Sequence, residues 1–389
     1  MKKLAVVFGG KSVEHDVSIV TGSQVIENAD KTRYEIIPIY ISREGKWYTG
    51  DKLKDVKYFA QFRENDPGIT RVFLPAESGA VLMAKGKGGL FGGGMREVAR
   101  IDAAILAMHG MHGEDGTLQG LFELAEIPYA NPGVVGSAAG MDKIVMKSVF
   151  RGNGFPILDY CYFTRDQWLE DENAMVQLVE SKLCYPVFVK PANLGSSIGI
   201  GKATDTRSLK DAVEVAICYD KRVLVENGVG DLMEINCSSL SVKGKVAASV
   251  CEQPVNWKDF LDFEGKYLSG GKTKGMQSLN RIVPAPISQE LTQEIQEMTK
   301  QIALAMDCKG VTRIDYIFDR SAEKIYVNEI NTIPGSFAFY LWEKMGISFP
   351  ELIDHLVEDA EYARQQSMRN NYAYDSNLLN QVKKGGVKK

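Results

Sequence analysis

The chain has 389 residues, 44% of them hydrophobic and 25% charged, with a formal net charge of −4. This length exceeds one ordinary core and predicts about two to three domains, while the weak negative charge argues against a nucleic-acid binder. No apolar run is long enough to span a bilayer, and the one that starts at Leu4 ends at Gly9-Gly10, short of a signal-peptide core. The six cysteines (Cys161, Cys184, Cys218, Cys237, Cys251 and Cys308) have no CxxC spacing, so neither a zinc site nor a disulfide framework is expected. A cytoplasmic protein with reduced thiols is the resulting expectation, with no nucleic acid and no membrane, and no partner class follows from the charge.

In chain order, residues 4–8 form an apolar run that ends at Gly9-Gly10 and leads through 11–18 into a helix-like stretch. A strand, a tight turn and a helix N-terminus make a natural binding edge of an open α/β sheet. Neither GxGxxG nor GxxxxGK[ST] is present, so this is not a Rossmann turn or a P-loop. Glu14, taken alone, is a carboxylate in a first helical turn, where the macrodipole favours it. Residues 35–41 alternate as a strand, and 46–48 add an edge piece. Over 51–100 the pattern weakens, and the glycine-rich 86–94 (GKGGLFGGG) reads as a hairpin tip or surface insertion. Residues 103–108 are a buried strand, followed by HGMHGEDGTLQG from His109 and a helix to about 126. On spacing alone, either histidine is more often structural than chemical.

Residues 128–132 close this first unit, and 138–151 read as one helix carrying Asp142-Lys143. Then come a strand over 156–163, an amphipathic helix over 166–183, and a strand over 185–190 that ends on Lys190. The loop PANLGSSIGIG at 191–201 offers unhindered backbone N–H groups and hydroxyls, which together with Lys190 suit phosphate oxygens better than a plain glycine-serine loop would. A helix over 207–218 precedes a strand over 222–226, a hinge at 227–230, and a strand that opens at Met233-Glu234. Strand, hinge and strand is an arrangement that can grip a nucleotide base. Residues 255–280 show no periodicity but contain aromatics, lysines and a Gly-Gly pair, as functional loops do. The helix over 288–307 carries Leu291, Ile295, Met298, Ile302 and Met306 at helical spacing, a stripe that predicts core.

The stretch 311–339 holds the most chemistry. Arg313-Ile-Asp315 and Glu329-Ile-Asn331 lie in β-type runs joined by a polar turn at 319–324, so a hairpin would put all four polar side chains on one face. Two carboxylates and an amide oxygen are hard ligands of the kind Mg²⁺ shares with nucleotide phosphates, and a guanidinium suits a phosphoryl group gaining charge. One such pair alone is most simply a solvated charged face. Two facing pairs followed by Pro334-Gly335 favour a magnesium-nucleotide site. Residues 337–344 and 349–366 look helical, 367–389 form a polar, lysine-ended tail expected to be poorly ordered, and no internal repeat is found.

Taken together, GGKSVEHDVS at 9–18, HGMHGEDGTLQG at 109–120, MDK at 141–143, VKPANLGSSIG at 189–199, EGKYL at 264–268, RID at 313–315 and NEINTIPGS at 328–336 resemble, in order, the D-alanine:D-alanine ligases of the ATP-grasp superfamily. The resemblance runs from Lys3 to about Val357. It implies an α/β fold of the ATP-grasp type with three domains: an N-terminal α/β domain over 1–132, a central lid over 133–228, and a C-terminal domain over 229–366, followed by the tail 367–389. It implies phosphorylation of one D-alanine by ATP and attack of a second on the acyl phosphate, giving a dipeptide for peptidoglycan synthesis.

Carried onto this chain, the resemblance gives Asp315, Glu329 and Asn331 two Mg²⁺ ions, with Mn²⁺ as a possible substitute. Lys143, Lys190 and Lys266 would contact ATP phosphates, Glu226 and Val229 would flank the adenine, and Glu234 would take the ribose; the segment 226–234 is less like the family and one residue longer. Arg313 and the Gly335 N–H would stabilise the developing oxyanion. Glu14 would hold the first substrate's ammonium and link through Ser196 to Tyr267, with His109 near that substrate's carboxylate. Ser336 and Tyr340 would border the second substrate, and a homodimer is the family tendency. Tyr340 stands where the family has a serine that helps hold the second carboxylate. The expectation is therefore a D-alanine-specific first site and an altered second one, with weaker D-alanine binding or another D-amino or D-hydroxy acid as acceptor. A nucleotide-binding regulator without catalysis is disfavoured, because the metal-type side chains, the phosphate-type lysines and Arg313 are all present.

Overall fold

The computed structural model describes residues 1–86, 94–255 and 281–371. The glycine-rich tip, the loop bearing Lys266 and Tyr267, and the tail beyond 371 lie outside the described residues.

The first layer is built on β1 (Lys2–Gly9), whose six innermost residues are buried on both faces, as a central parallel strand requires. Helix α1 (His15–Asn28) packs on it, and the strands that follow are β2 (Tyr34–Ile41), β3 (Trp47–Thr49), β4 (Thr70–Val72), β5 (Val81–Lys85), β6 (Met95–Arg100), β7 (Ala103–Leu106) and β8 (Tyr129–Ala130). The sheet order is β4-β3-β2-β1-β7-β8, with β1 parallel to β2 and β7. Strand β3 is therefore not an edge, because the irregular-looking segment after it contributes β4 on its outer side. The same segment forms the β5–β6 hairpin, closed toward its tip by the Gly86 N–H donating to Gly94 O at 2.6 Å. Leu82 and Ala84 are buried in the core of this sheet, so the insertion is part of the fold rather than an appendage.

Helices α2 (Thr117–Leu124), α3 (Val134–Met141) and α4 (Lys143–Gly152) come next. The single helix expected over 138–151 is broken at Asp142, whose backbone is extended and whose carboxylate accepts from the N–H groups of Ile144 and Val145 at 3.1 and 3.0 Å. An N-cap that satisfies two orphan donors restarts the chain as a second helix and aims Lys143 and Lys147 along one face. The helix expected over 166–183 is likewise two, α5 (Arg165–Glu170) and α6 (Glu172–Lys182), divided at the N-cap Asp171.

A second, antiparallel sheet has β9 (Tyr160–Thr164), β10 (Val187–Pro191), β11 (Gly201–Ala203) and β12 (Arg222–Asn227) in the order β11-β10-β12-β9, with α7 (Thr206–Tyr219) packed against it. The third sheet has β13 (Leu232–Val242), β14 (Lys245–Pro254), β15 (Arg281–Ile282), β16 (Val311–Asp319) and β17 (Lys324–Asn331) in the order β15-β14-β13-β16-β17. Helix α8 (Gln289–Ala305) lays Ile295, Met298 and Ile302 on it, as its stripe predicts. After a 3₁₀ turn at Gly335–Ala338 come α9 (Phe339–Glu343) and α10 (Phe349–Ser367). Helix α10 crosses back: Phe349, Leu352, Ile353 and Leu356 share one core with Leu4, Val6 and Ile105 of the first sheet.

Candidate active site

The hairpin β16–β17 forms in the expected register, with Arg313 opposite Asn331 and Asp315 opposite Glu329. Directly opposite residues share a face, so the four polar groups converge, and all four line one cavity. Arg313 forks onto Asp315, Nε donating to Oδ1 at 2.6 Å and Nη2 to Oδ2 at 2.7 Å, and Asn331 Nδ2 donates to Oδ2 at 3.0 Å. Burial, with Glu329 nearby, still pushes the Asp315 carboxyl above its ordinary value despite Arg313. Two adjacent carboxylates that resist sharing charge are a place where a cation is favoured. Among the described residues no three His, Cys, Asp or Glu side chains form a self-sufficient metal site. Two carboxylates and an amide fit Mg²⁺ on the condition that phosphate oxygens complete its shell.

On the facing side, Lys143 and Lys190 are buried at 7% and 8% exposure, and both line the cavity. The Lys143 ammonium donates to Leu194 O at 2.7 Å and lies 3.9 Å from Glu329. Lys190 forms an ion pair with Glu226 and donates to Asn328 Oδ1 at 3.3 Å. Lys147, one helical turn after Lys143, pairs with the same Glu226 at 2.7 Å. Burial alone would push the Glu226 carboxyl up, but the ammonium groups of Lys147 and Lys190 outweigh it and hold it at about 2. Burial lowers Lys147, whereas Lys190, also buried, is raised by Glu226 and Glu329. Glu226 lines the cavity with its carboxylate engaged by two lysines. The apolar side chains Leu158, Phe188, Ile200, Val229, Leu232 and Ile317 line the same cavity beside the hinge Asn227-Gly228, with Glu234 next to them.

Three loops that are far apart in sequence meet at Glu14, which is 7% exposed. The Ser196 hydroxyl donates to its carboxylate. Gly195 and Gly110 back onto it: a Cβ on Gly110 would stand 2.6 Å from Glu14 Oε2 and 2.5 Å from Ser12 Oγ, and Gly110 has φ +72°. Only glycine combines that backbone with that approach. Below it, Glu114 accepts from the N–H groups of Gly110 and Ile333 at 2.8 and 2.9 Å and from Thr332 Oγ1 at 3.3 Å. Burial, then the Glu14 charge, pushes Glu114 up to about 7.

The structure does not bring every expected residue to the cavity wall. His109 is buried, its Nε2 2.8 Å from Thr21 Oγ1 and its Nδ1 2.9 Å from Ile333 O. Burial lowers it to about 4, and its ring joins the loop after β7 to α1 and to the 332–336 turn. Ser336 is 1% exposed with φ +53° and turns away behind the wall, and Gly335 starts the same turn without lining the cavity. Tyr340 does line it, yet its one proton goes to Glu252 Oε1 at 2.8 Å, which leaves no hydroxyl donor to replace the family's serine. The sequence reading missed Lys147, Glu114, Asn236, Glu252 and Arg281. Lys147 had a signal in its i, i+4 spacing from Lys143; the others sit in segments whose partners are distant in sequence.

With this geometry, the family models described as D-ala D-ala ligase N-terminus and D-ala D-ala ligase C-terminus match residues 3–132 and 149–358. The chain belongs to the D-alanine–D-alanine ligase family. It is 35% identical over 380 residues to the D-alanine–D-alanine ligase of Thermosipho africanus strain TCF52B, covering 97% of this chain and 98% of that one. To the ligase of the same name from Ruminiclostridium cellulolyticum it is 38% identical, over 95% of this chain and 98% of that one. Its fold is similar to that of the VanG D-Ala:D-Ser ligase from Enterococcus faecalis, with TM-score 0.77, 31% identity and coverage of 92% and 99%. The D-alanine–D-alanine ligase of Coxiella burnetii aligns with TM-score 0.75 and 26% identity over 95% and 98%. The α/β architecture is that of the ATP-grasp ligases. No described helix is long and apolar enough to cross a membrane.

Proposed function

We infer that this chain is an ATP-dependent ligase that joins two D-alanine molecules into D-alanyl-D-alanine, releasing ADP and phosphate, for peptidoglycan synthesis. The observation that carries this reading is that the buried lysines, the hairpin face and Glu14 all open onto one cavity. The reaction needs a polyphosphate site, a charge-stabilising site and an ammonium site within reach of one another, and each of these three has matching side chains.

In this reading the adenine lies in the apolar slot that includes Phe188, Val229 and Ile317, Glu234 faces the ribose, and Lys143 and Lys190 hold phosphate oxygens. Glu226 and Lys147 act behind them by fixing Lys190. Asp315, Glu329 and Asn331 are the residues that would hold Mg²⁺, two ions with Mn²⁺ as a substitute; when bound, the metal neutralises the polyphosphate. Glu14 takes the ammonium of the first D-alanine. A carboxylate oxygen of that D-alanine attacks the γ-phosphorus, the bond to the β-phosphate oxygen breaks, and ADP leaves. The amine of the second D-alanine then attacks the acyl carbon, the carbon–oxygen bond to phosphate breaks, and the amine sheds a proton. Arg313 stabilises the oxyanion formed in that attack. The N-terminal, lid and C-terminal domains are taken as residues 1–132, 133–228 and 229–366, and the enzyme works in the cytoplasm as a homodimer.

An acceptor other than D-alanine is not favoured, because the curated relatives that cover nearly the whole chain are D-alanine–D-alanine ligases. Purified protein with ATP and Mg²⁺ is expected to form ADP in proportion to D-alanine. Glu329→Ala, which removes a hard ligand, is expected to abolish turnover while the circular dichroism spectrum is kept. Full ADP formation by the folded variant would overturn the assignment of the hairpin.

A further inference from the structure

The polar row on the third sheet extends beyond its metal-type residues. Glu252 of β14 pairs across to Asn236 of β13, Asn236 to Asp315 of β16, and Asp315 to Glu329 of β17. At ~4.8 Å per strand, Glu252 lies roughly 10 Å from Asp315, on the side away from Glu329. Its carboxylate is 3% exposed and fully engaged: Oε1 accepts from the Tyr340 hydroxyl at 2.8 Å and from Asn236 Nδ2 at 3.1 Å, and Oε2 accepts from Arg281 Nη1 at 3.2 Å. The Arg281 guanidinium carbon stands 3.9 Å from the centroid of the Tyr340 ring. Arg281 and Tyr340 both line the cavity, so a guanidinium plane is held there by a carboxylate at its edge and an aromatic face beneath it.

We propose that Arg281 binds the carboxylate of the second D-alanine, and that Glu252 and Tyr340 are positioning residues that hold its guanidinium for that purpose. The proposal rests on the ligase reading above. In the coupling step the second amino acid must set its amine on the acyl carbon beside Arg313, and its carboxylate then lies one α-carbon away. Toward Glu329 that carboxylate would meet a carboxylate and the polyphosphate. Toward Glu252 it meets Asn236 and then a fixed cation. A guanidinium between two carboxylates, Glu252 on one edge and the substrate on another, is a geometry for which its fork of donors is built. It also accounts for a tyrosine at a position where the family has a serine: the ring serves as a platform for Arg281, and its hydroxyl is used on Glu252.

The test separates donor activation from coupling. Exchange of ¹⁸O between bridging and non-bridging positions of ATP, run with D-alanine, reports phosphorylation of the donor, and dipeptide formation reports the acceptor. D-Alaninamide, an acceptor without a carboxylate, reports recognition of charge. Arg281→Met is expected to keep the isotope exchange within about twofold and to raise the acceptor KM for D-alanine about tenfold to a hundredfold, the loss of one charge-assisted contact. Its preference for D-alanine over D-alaninamide is expected to collapse with little change in kcat for the amide. Tyr340→Phe, which keeps the ring, is expected to raise the acceptor KM by a few fold only. Should the methionine variant not fold, Arg281→Lys, which keeps the charge without the fork, is expected to raise the acceptor KM with exchange intact. An unchanged acceptor KM and amide discrimination in the folded variants would overturn the proposal, as would equal loss of exchange and coupling. Absence of D-alanine-dependent exchange in the unaltered enzyme would instead overturn the ligase reading itself.

Discussion

Glu226 shows at the scale of one residue why the lysines of this site are arranged in a cluster. A carboxylate at 1% exposure is tolerable because Lys147 and Lys190 both reach it, and each lysine in turn is tolerable because of Glu226. Lys147→Met takes one of the two ammonium groups from Glu226 and leaves its carboxylate to Lys190 alone, and the expected loss is about 1.5–3 kcal/mol of stability in urea unfolding, together with weaker nucleotide binding as Lys190 is drawn to Glu226. The pH dependence of this cluster has a definite sign. The Glu226 carboxyl falls from its ordinary 4.5 to about 2 on folding, so its contribution is full above pH 4.5 and is lost as pH falls toward 2. Glu114 behaves oppositely: its carboxyl rises from 4.5 to about 7, so the folded chain holds a proton that the unfolded chain gives up, and stability declines as pH rises through that window. An ammonium bound at Glu14 lowers Glu114 again. Binding of D-alanine near pH 7 is therefore expected to release protons, detected as a dependence of the calorimetric binding enthalpy on the buffer's ionisation enthalpy; a buffer-independent enthalpy would count against the pairing of Glu14 with the ammonium.

Among the elements, loops carry the function and glycines allow them to meet. The 109–116 loop approaches Glu14 so closely that a methyl group on Gly110 would overlap both Ser12 and Glu14. Gly110→Ala is expected to lower kcat/KM for the first D-alanine by on the order of a hundredfold, with a stability cost of about 1–3 kcal/mol from the strained backbone. Gly45, also at positive φ but with open space around it, is the control: Gly45→Ala is expected to leave kcat/KM unchanged. The break between α3 and α4 has a similar role. Asp142 caps α4 and pairs with Arg222 of β12, which ties the helix bearing Lys143 and Lys147 to the second sheet. Asp142→Ala is expected to cost about 1 kcal/mol from the cap alone and more with the ion pair lost.

Over the whole molecule, α10 joins the first and third layers. Its apolar face belongs to the core of the first sheet, and Asp359, buried one turn beyond Leu356 on that face, accepts from the N–H groups of Lys243, in the β13–β14 turn, and Gly310, just before β16, at 2.8 and 2.9 Å. Asp359→Ala is expected to cost on the order of 2–4 kcal/mol by leaving two backbone donors without partners, seen as a lower unfolding midpoint. Much of this molecule was legible without coordinates. The β16–β17 hairpin, the core stripe of α8 and the buried β1 follow from alternation and helical periodicity, which are properties of neighbours along the chain. The convergence of Arg313, Asp315, Glu329 and Asn331 was legible in part: alternation puts each pair on one face, but the register set by the turn would place Asn328 opposite Asp315, and a bulge between Asp315 and Tyr316 brings Glu329 there instead. The helix breaks at Asp142 and Asp171 were not legible, because an aspartate within a helical pattern reads as surface until its carboxylate is seen to cap. Nor could the row from Glu252 to Glu329 be read, because β14 and β16 are joined only through β13 and sequence order carries no register between them. Tyr340 shows the difference most plainly. Its position opposite the second substrate came from the order of residues after Gly335, but only the packing of β14 beside α9 and of Arg281 on its ring decides what its hydroxyl does, because a donor with one proton serves whichever acceptor the fold places nearest.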